Sequence, residues 1–193
     1  AMKGLEATTG FSMYQLCLGA GIDKILVNHL CGPAHPEELR KGKSALLSLS
    51  GDLAMLIGNA LKSDQIDFQF SYEVNSCMWG SALKNVVGLG AGILDGCDRA
   101  DLKGTYMVKI LKEVDNIIRF YTKNYELCHL GDYEATLFSK HSHNRQFGES
   151  WVKGEKFEQL AEGYYTLASF SPEHTIQPLI STLYKIFYED KKY

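Results

Sequence analysis

The sequence lacks several features that would assign a protein to a class at once. It contains no run of 18 apolar residues, so we expect no membrane span, and its start has no signal-peptide pattern. A net charge of −3 gives no electrostatic case for binding nucleic acid or an acidic membrane surface. With 45% hydrophobic and 22% charged residues, the composition is typical of an ordinary soluble globular protein.

The cysteines lack the spacing that is typical of a disulfide framework or of a zinc site. There are five cysteines, an odd number and widely scattered: Cys17, Cys31, Cys77, Cys97 and Cys128. This favours reduced, buried thiols in a cytoplasmic protein over a disulfide framework. No four-ligand zinc spacing occurs, since His141 and His143 sit two apart and Cys128 adjoins His129. We therefore expect no metal site.

The fingerprint of a dinucleotide-binding turn is also missing. No Gly-x-Gly-x-x-Gly occurs in the chain. Gly88, Gly90 and Gly92 lack that spacing and follow no strand. Glycine in a helix interior costs roughly 1 kcal/mol relative to alanine, and its usual compensation is the close approach of another backbone or a ligand. The glycines thus predict a crowded helix surface.

Residues 1–75 mix short strand and helix patterns. Apolar and polar residues alternate strictly at 66–72, which predicts a half-exposed strand. Weaker β patterns lie at 25–31 and 44–49. Pro36 suits the start of a short helix. Asp52 would cap another helix through Leu61, with one apolar face made of Leu53, Leu56, Ile57, Ala60 and Leu61. About three strands make a sheet too thin to stand alone.

Residues 76–193 show helical periodicity with almost no β pattern. We expect long helices over 75–94 and 102–122, and shorter ones around 157–164 and 176–187. This predicts a bundle-like helical domain. The first helix carries Lys84, which is either a solvated lysine, the commoner case, or a buried amine held for chemistry.

A polar segment lies between these helices. Asp132 reads either as an N-cap or as a functional carboxylate. Ser142 and Asn144 would offer hydroxyl, amide and backbone donors to an anion at a helix N-terminus. From the residues alone, these alternatives stay open.

Four ordered sequence blocks resemble the NAD(P)-dependent glycerol-3-phosphate dehydrogenases. They are Gly32-Pro33-Ala34-His35-Pro36-Glu37-Glu38; Ser81-Ala82-Leu83-Lys84-Asn85-Val86-Val87; Gly131-Asp132 with Thr136, followed by Ser142-His143-Asn144-Arg145 and Phe147-Gly148; and Glu162-Gly163 with Thr166. Lys3 lies 29 positions before Gly32, as does the family's substrate lysine. Two positions depart from the pattern. His143 replaces an arginine that in the family contacts substrate phosphate and cofactor, and Met78 replaces a glutamate.

The resemblance implies a mainly α fold. Residues 76–193 would form a C-terminal helical domain of the 6-phosphogluconate-dehydrogenase-like type. Residues 1–75 would be a small α/β remnant of the nucleotide-binding domain, with about three strands. We therefore expect a C-terminal fragment of a longer enzyme that could form a homodimer, with NAD or NADP bound mainly by the missing N-terminal domain.

The resemblance also implies an activity, the reversible NAD(P)H-linked reduction of dihydroxyacetone phosphate to sn-glycerol 3-phosphate. Lys84, Asp132 and Lys3 would be catalytic, with Lys84 stabilising and protonating the ketone oxygen. Burial and Lys3 would lower the pKa of Lys84, and Asp132 would limit that lowering. The implied substrate contacts are Lys3, Gly32, Ala34, Lys84, Asn85, Asp132, Thr136, Ser142, His143 and Asn144. The implied cofactor contacts are Pro36, His143, Leu160 and Glu162.

Two other functions compete with this interpretation. The chain would be a non-catalytic dimerisation or interaction domain if Lys84 and Asp132 only form an ion pair. It would be a related dehydrogenase with another substrate if the loss of the arginine fork at His143 reflects a different ligand. Because the nucleotide-binding portion is missing, we expect the isolated chain to show no dehydrogenase activity and at most weak binding of phosphate or substrate.

Overall fold

The computed structural model describes residues 4–34, 36–122, 130–139, 141–159, 161–171 and 176–189, with only the backbone described for Pro36 and Glu37. Its strands are β1 (His29–Cys31), β2 (Ala45–Ser50) and β3 (Ile66–Ser71). Its helices are α1 (Met13–Gly19), α2 (Pro36–Arg40), α3 (Ala54–Leu61), α4 (Val74–Gly96), α5 (Lys103–Tyr121), α6 (Leu130–Phe138), α7 (His143–Lys153), α8 (Glu162–Leu167) and α9 (Pro178–Tyr188). Short 3-10 turns span Lys24–Leu26, Ala100–Leu102 and Ala168–Phe170.

The three strands form one small mixed sheet. β1 pairs antiparallel with β2, and β2 pairs parallel with β3, with Ser50 opposite Ser71 at the end of the ladder. The strands predicted at 44–49 and 66–72 are confirmed. The β pattern at 25–31 was wrong in its first half, because Asp23 accepts the N–H of Ile25 and turns the chain into a 3-10 helix.

The helix between β2 and β3 corrects two predictions. Asp52 is not its cap: Leu53 occupies that position, and its N–H donates to Asn28 Oδ1 at 3.1 Å. The predicted apolar face is largely exposed, with Leu56 at 69% and Leu61 at 53%. The sheet covers α3 along a narrow strip instead, where Gly58 lies against an aromatic ring of β3. Periodicity located an apolar stripe but not the side that the small sheet covers.

The helical part is built around α4. From Ser76 to Gly92 every residue of this helix is buried, and α5, α6, α7 and α8 pack against it. By length and composition α4 also qualifies as a candidate membrane span, although 89% of its apolar window is buried inside the fold. An uninterrupted run of 18 apolar residues is therefore a stricter criterion for a membrane span than the mean hydropathy of an 18-residue window, which α4 meets. Burial of this extent is what the core helix of a globular protein shows.

Two later helices start further along the chain than periodicity predicted. α7 ends at Lys153, with Gly154 as its C-cap in the left-handed conformation at φ +69°, and α8 begins only at Glu162. α9 begins at Pro178, whose missing N–H suits a first turn. The buried carboxylate of Glu113 accepts the next two backbone N–H groups at 2.8–3.0 Å.

The cysteine prediction is wrong at two positions. Cys17 and Cys97 are free thiols, but Cys97 is exposed rather than buried, and Cys77 is disulfide-bonded. Scatter along the chain does not report proximity in the fold, so counting cysteines missed this bond.

Candidate functional site

The glycines of α4 face two different neighbours. Gly88, Gly92 and Gly96 recur every four residues and therefore share one face, on which α7 lies. A Cβ at Gly92 would overlap a main-chain carbonyl of α7, and a Cβ at Gly148 of α7 would overlap a main-chain carbonyl of α4. The two backbones thus touch, and the predicted close approach is confirmed.

Gly90 points the other way, toward the side chain of Tyr106 on α5. That ring fills the space a Cβ would need, and its hydroxyl donates to the carbonyl of Val87 at 3.0 Å. Burial raises the pKa of Tyr106 above its usual value, with a smaller contribution from the charge of Glu113. The phenol therefore remains a hydrogen-bond donor at neutral pH.

Lys84 is a buried amine rather than a solvated one. It is 7% exposed, and its Nζ lies 2.5 Å from Oδ1 of Asp132, which is 4% exposed. Asp132 is the third residue of α6, so it is not an N-cap. The two residues are 48 positions apart in sequence, and the fold brings them together.

The residues around Asp132 fix α6 across the middle of α4. The buried hydroxyl of Tyr133 donates to the carbonyl of Gly80 at 2.6 Å. The hydroxyl of Thr136 donates to the carbonyl of Asp132 at 2.7 Å, and its methyl group packs against Gly88. The carboxylate consequently has one defined position relative to the lysine.

A chain of amide hydrogen bonds forms one wall of the site. The backbone N–H of Gly163 donates to Asn144 Oδ1 at 2.8 Å, and Asn144 Nδ2 donates to Asn85 Oδ1 at 3.0 Å. Asn85 Nδ2 then donates to Glu162 Oε2 at 3.0 Å. Because each amide is oriented by the next, Asn85 presents its remaining N–H in a fixed direction.

The first turn of α7 forms the opposite end of the site. Ser142 is its N-cap and accepts the N–H of Arg145 at 3.4 Å, while the imidazole of His143 is exposed. The first N–H groups of a helix have no partner within the helix, and they favour anions. This end of the site therefore suits a negatively charged group.

These elements enclose a cavity of about 230 Å³. Its lining contains nine of the ten predicted substrate contacts and two of the four predicted cofactor contacts, with His143 in both sets: Gly32, Ala34, Lys84, Asn85, Asp132, Thr136, Ser142, His143, Asn144 and Glu162. Lys3, Leu160 and the Pro36 side chain lie outside the described residues.

Two lining residues were not predicted, Pro33 and Ala135. Each had a signal in the sequence. Pro33 stands between two predicted contacts, and Ala135 lies one helical turn after Asp132.

The charges of the lining are few. Lys84 faces Asp132, and among the described residues the other ionisable side chains on the lining are His143 and Glu162. Arg145 is not among the lining residues; its guanidinium is paired with Asp95 instead, so it does not replace the arginine that His143 displaced. Across the described ranges there is no group of three His, Cys, Asp or Glu side chains that could hold a metal ion.

The chain matches known proteins over most of its length. Residues 73–193 match the family model described as NAD-dependent glycerol-3-phosphate dehydrogenase C-terminus. A glycerol-3-phosphate dehydrogenase (NAD(P)+) from Deinococcus radiodurans is 34% identical over 175 residues, which are 85% of this chain and 52% of the relative. One from a Thermotoga species is 27% identical over 208 residues, 98% of this chain and 63% of the relative. The chain thus spans about half to just under two thirds of these relatives.

Solved structures share the fold. The glycerol-3-phosphate dehydrogenase of Coxiella burnetii superposes with a TM-score of 0.85 at 19% identity, covering 98% of this chain and 63% of that one. DsGPDH of Dunaliella salina gives 0.81 at 16% identity, covering 96% and 37%. The matched family model, the Deinococcus relative and the shared fold agree: the chain belongs to the NAD-dependent glycerol-3-phosphate dehydrogenase family, of which it carries the C-terminal part.

Proposed function

We propose that this chain is the substrate-binding part of an enzyme that reversibly reduces dihydroxyacetone phosphate to sn-glycerol 3-phosphate with NADH or NADPH. The observation that carries the proposal is the buried Lys84–Asp132 pair, 2.5 Å apart and open to a polar cavity. The names of the relatives support the reaction, and the cavity offers groups suited to each part of such a substrate.

Lys84 would be the proton donor. The bound cofactor would supply hydride to the ketone carbon, and the ketone oxygen beside Lys84 would then gain negative charge. An ammonium hydrogen-bonded to that oxygen stabilises this charge and passes it a proton, which yields the alcohol. In the reverse direction the neutral amine accepts the hydroxyl proton. Asp132 would hold the amine in place and stabilise its charged form.

The rest of the substrate would lie along the cavity. The N-terminal turn of α7 would bind the phosphate through Ser142, His143 and Asn144. The remaining N–H of Asn85 and the hydroxyl of Thr136 would contact the substrate hydroxyl groups, with Gly32 and Ala34 on the opposite wall. This divides the cavity into a reacting end and an anion-binding end.

The residues present fit only the nicotinamide end of the cofactor. Glu162 is exposed at the cavity rim and held by Asn85, and Leu160, Pro36 and His143 are further predicted contacts. No Gly-x-Gly-x-x-Gly is available for the pyrophosphate. The cofactor would therefore depend mainly on residues outside this chain.

Residues 1–75 would belong to a larger nucleotide-binding domain, and 76–193 would form the helical domain. Large apolar side chains are exposed on the sheet and on α3, including Leu46 at 53%, Met55 at 57% and Leu56 at 69%. An apolar surface of this kind is normally covered, and the rest of such a domain would cover it. Cytoplasmic location and a homodimer stay predictions.

The test uses the full-length protein that contains this chain. K84M should abolish turnover of dihydroxyacetone phosphate. E113Q, which removes a buried charge outside the cavity, should lower stability but keep turnover. Activity retained by folded K84M would contradict the proposal and favour a non-catalytic interaction domain.

A substrate screen on the same protein separates the remaining alternative. Turnover of another phosphorylated ketone or a hydroxy acid in preference to dihydroxyacetone phosphate would indicate a related dehydrogenase. The 193-residue chain alone should show weak phosphate binding and no turnover, and turnover by this chain would refute the assigned division of roles.

A further inference from the structure

We propose that a buried ion cluster beside the cavity positions the anion-binding turn of α7, and that Arg145 is the positioning residue for phosphate recognition. The cluster consists of Asp95, Lys103 and Arg145. The inference rests on the proposed function, since it concerns how that site recognises phosphate.

One carboxylate joins three helices in this cluster. Asp95, in the last turn of α4, contacts Arg145 Nε of α7 and lies 2.6 Å from Lys103 Nζ of α5 through the same Oδ2 atom. The three side chains are 10%, 13% and 8% exposed in the order Asp95, Arg145, Lys103. The ends of α4, α5 and α7 are thus fixed to one point.

The two cations also reach the C-terminal end of α6. Arg145 Nη1 donates to the carbonyl of Ser139 at 3.2 Å, and Lys103 Nζ donates to the carbonyl of Leu137 at 3.4 Å. Cations are favourable at this end of a helix because its last carbonyls lack partners within the helix. Since α6 carries Asp132, the cluster links the carboxylate's helix to the phosphate-binding turn.

Packing alone already holds α7 against α4. The glycine contacts at Gly92 and Gly148 bring the backbones together without any charge. A buried ion cluster adds little net stability, because desolvating the charges offsets their attraction. What it adds is a directional constraint, since the guanidinium has a planar fork with fixed donor directions.

Arg145 is well placed to transmit that constraint. Its backbone N–H donates to Ser142 Oγ, so its position is coupled directly to the N-cap, and Asn144 precedes it in the chain. The guanidinium of Arg145 forms an ion pair with Asp95 and does not line the cavity. Phosphate recognition would then depend on where the turn lies, and a displacement near 1 Å is enough to cost up to about 10²-fold in such sites.

The experiment compares R145M, R145K and D95N in the full-length protein, with E113Q as the matched loss of a buried charge outside the cavity. kcat and KM are measured with dihydroxyacetone phosphate and with unphosphorylated dihydroxyacetone, and Tm is measured for each variant. R145M should raise KM for the phosphorylated ketone about tenfold while kcat stays within about twofold. R145K should fall between parent and R145M, and kcat/KM for the unphosphorylated ketone should not change. E113Q should lower Tm without this KM effect.

Two results would overturn the inference: an unchanged KM in folded R145M or D95N, or equal losses with both ketones, which a merely structural role would produce. D95N, of nearly the same shape as the parent side chain, keeps the test decisive if R145M does not fold. If the parent does not reduce dihydroxyacetone phosphate, the proposed function fails by itself. Inorganic phosphate binding to the 193-residue chain then decides the inference: R145M should weaken it and E113Q should not.

Discussion

The buried ion pair of Lys84 and Asp132 gives the sharpest quantitative prediction. Both residues are less than 8% exposed, and their charged atoms are 2.5 Å apart. D132N removes the negative charge with almost no change in shape, and K84M removes the positive charge with little change in volume. Each single substitution leaves one buried charge without the counter-charge it faces.

Breaking a buried pair from one side typically costs 3–5 kcal/mol, whereas removing both charges is often nearly neutral. We expect D132N and K84M each to lower the free energy of unfolding by about 3 kcal/mol. The double variant should lose no more than either single one, which corresponds to a coupling energy of about 3 kcal/mol. With an unfolding entropy of roughly 0.4 kcal/mol/K for 193 residues, each single variant should melt about 7 °C lower.

Urea and thermal unfolding of the 193-residue chain measure these values. The denaturant dependence m of the unfolding free energy then shows whether a substitution has changed the unfolded state instead. Turnover is also measured for the full-length double variant. This variant should be folded but inactive, which separates the chemical role of the lysine from its structural role. A fall in Tm below about 2 °C for D132N, or additive losses in the double variant, would refute the claim that the pair is desolvated and coupled.

Three further predictions concern the anion-binding turn, the helix contact and the N-terminal loop. H143R should tighten binding of dihydroxyacetone phosphate by about tenfold, seen as a lower KM, because a guanidinium forms a charge-assisted fork with phosphate. G148A should lower Tm by about 5 °C, since overpacking costs 1–3 kcal/mol, whereas G104A, which has open space around it, should not. T9A should raise the pKa of Glu6 from about 2 toward 4.5, in a carboxylate NMR titration, because the side chain of Thr9 is the main cause of its lowering. Since that pKa is lowered in the folded state, the stability Glu6 contributes is complete above pH 4.5 and is lost as pH falls toward 2.

Local patterns in the sequence were enough to locate most of the elements. The 3.6-residue period placed α4 and α5 within a few residues of their bounds, and strict alternation placed β3. These signals depend on neighbours in the chain, which the sequence displays directly. The resemblance placed the cavity residues, since its motif blocks correspond to the walls of one cavity.

Contacts between distant segments were decided only by the tertiary structure. The sequence left Lys84 solvated or buried, and only the packing of α6 over α4 made it a buried partner of Asp132. Likewise, the face of α3 that meets the sheet and the disulfide at Cys77 were both mispredicted. Period and spacing describe a residue relative to its own element. Whether a residue is buried, and which side chain it pairs with, depend on which other element packs against its own. A local sequence pattern does not contain that information.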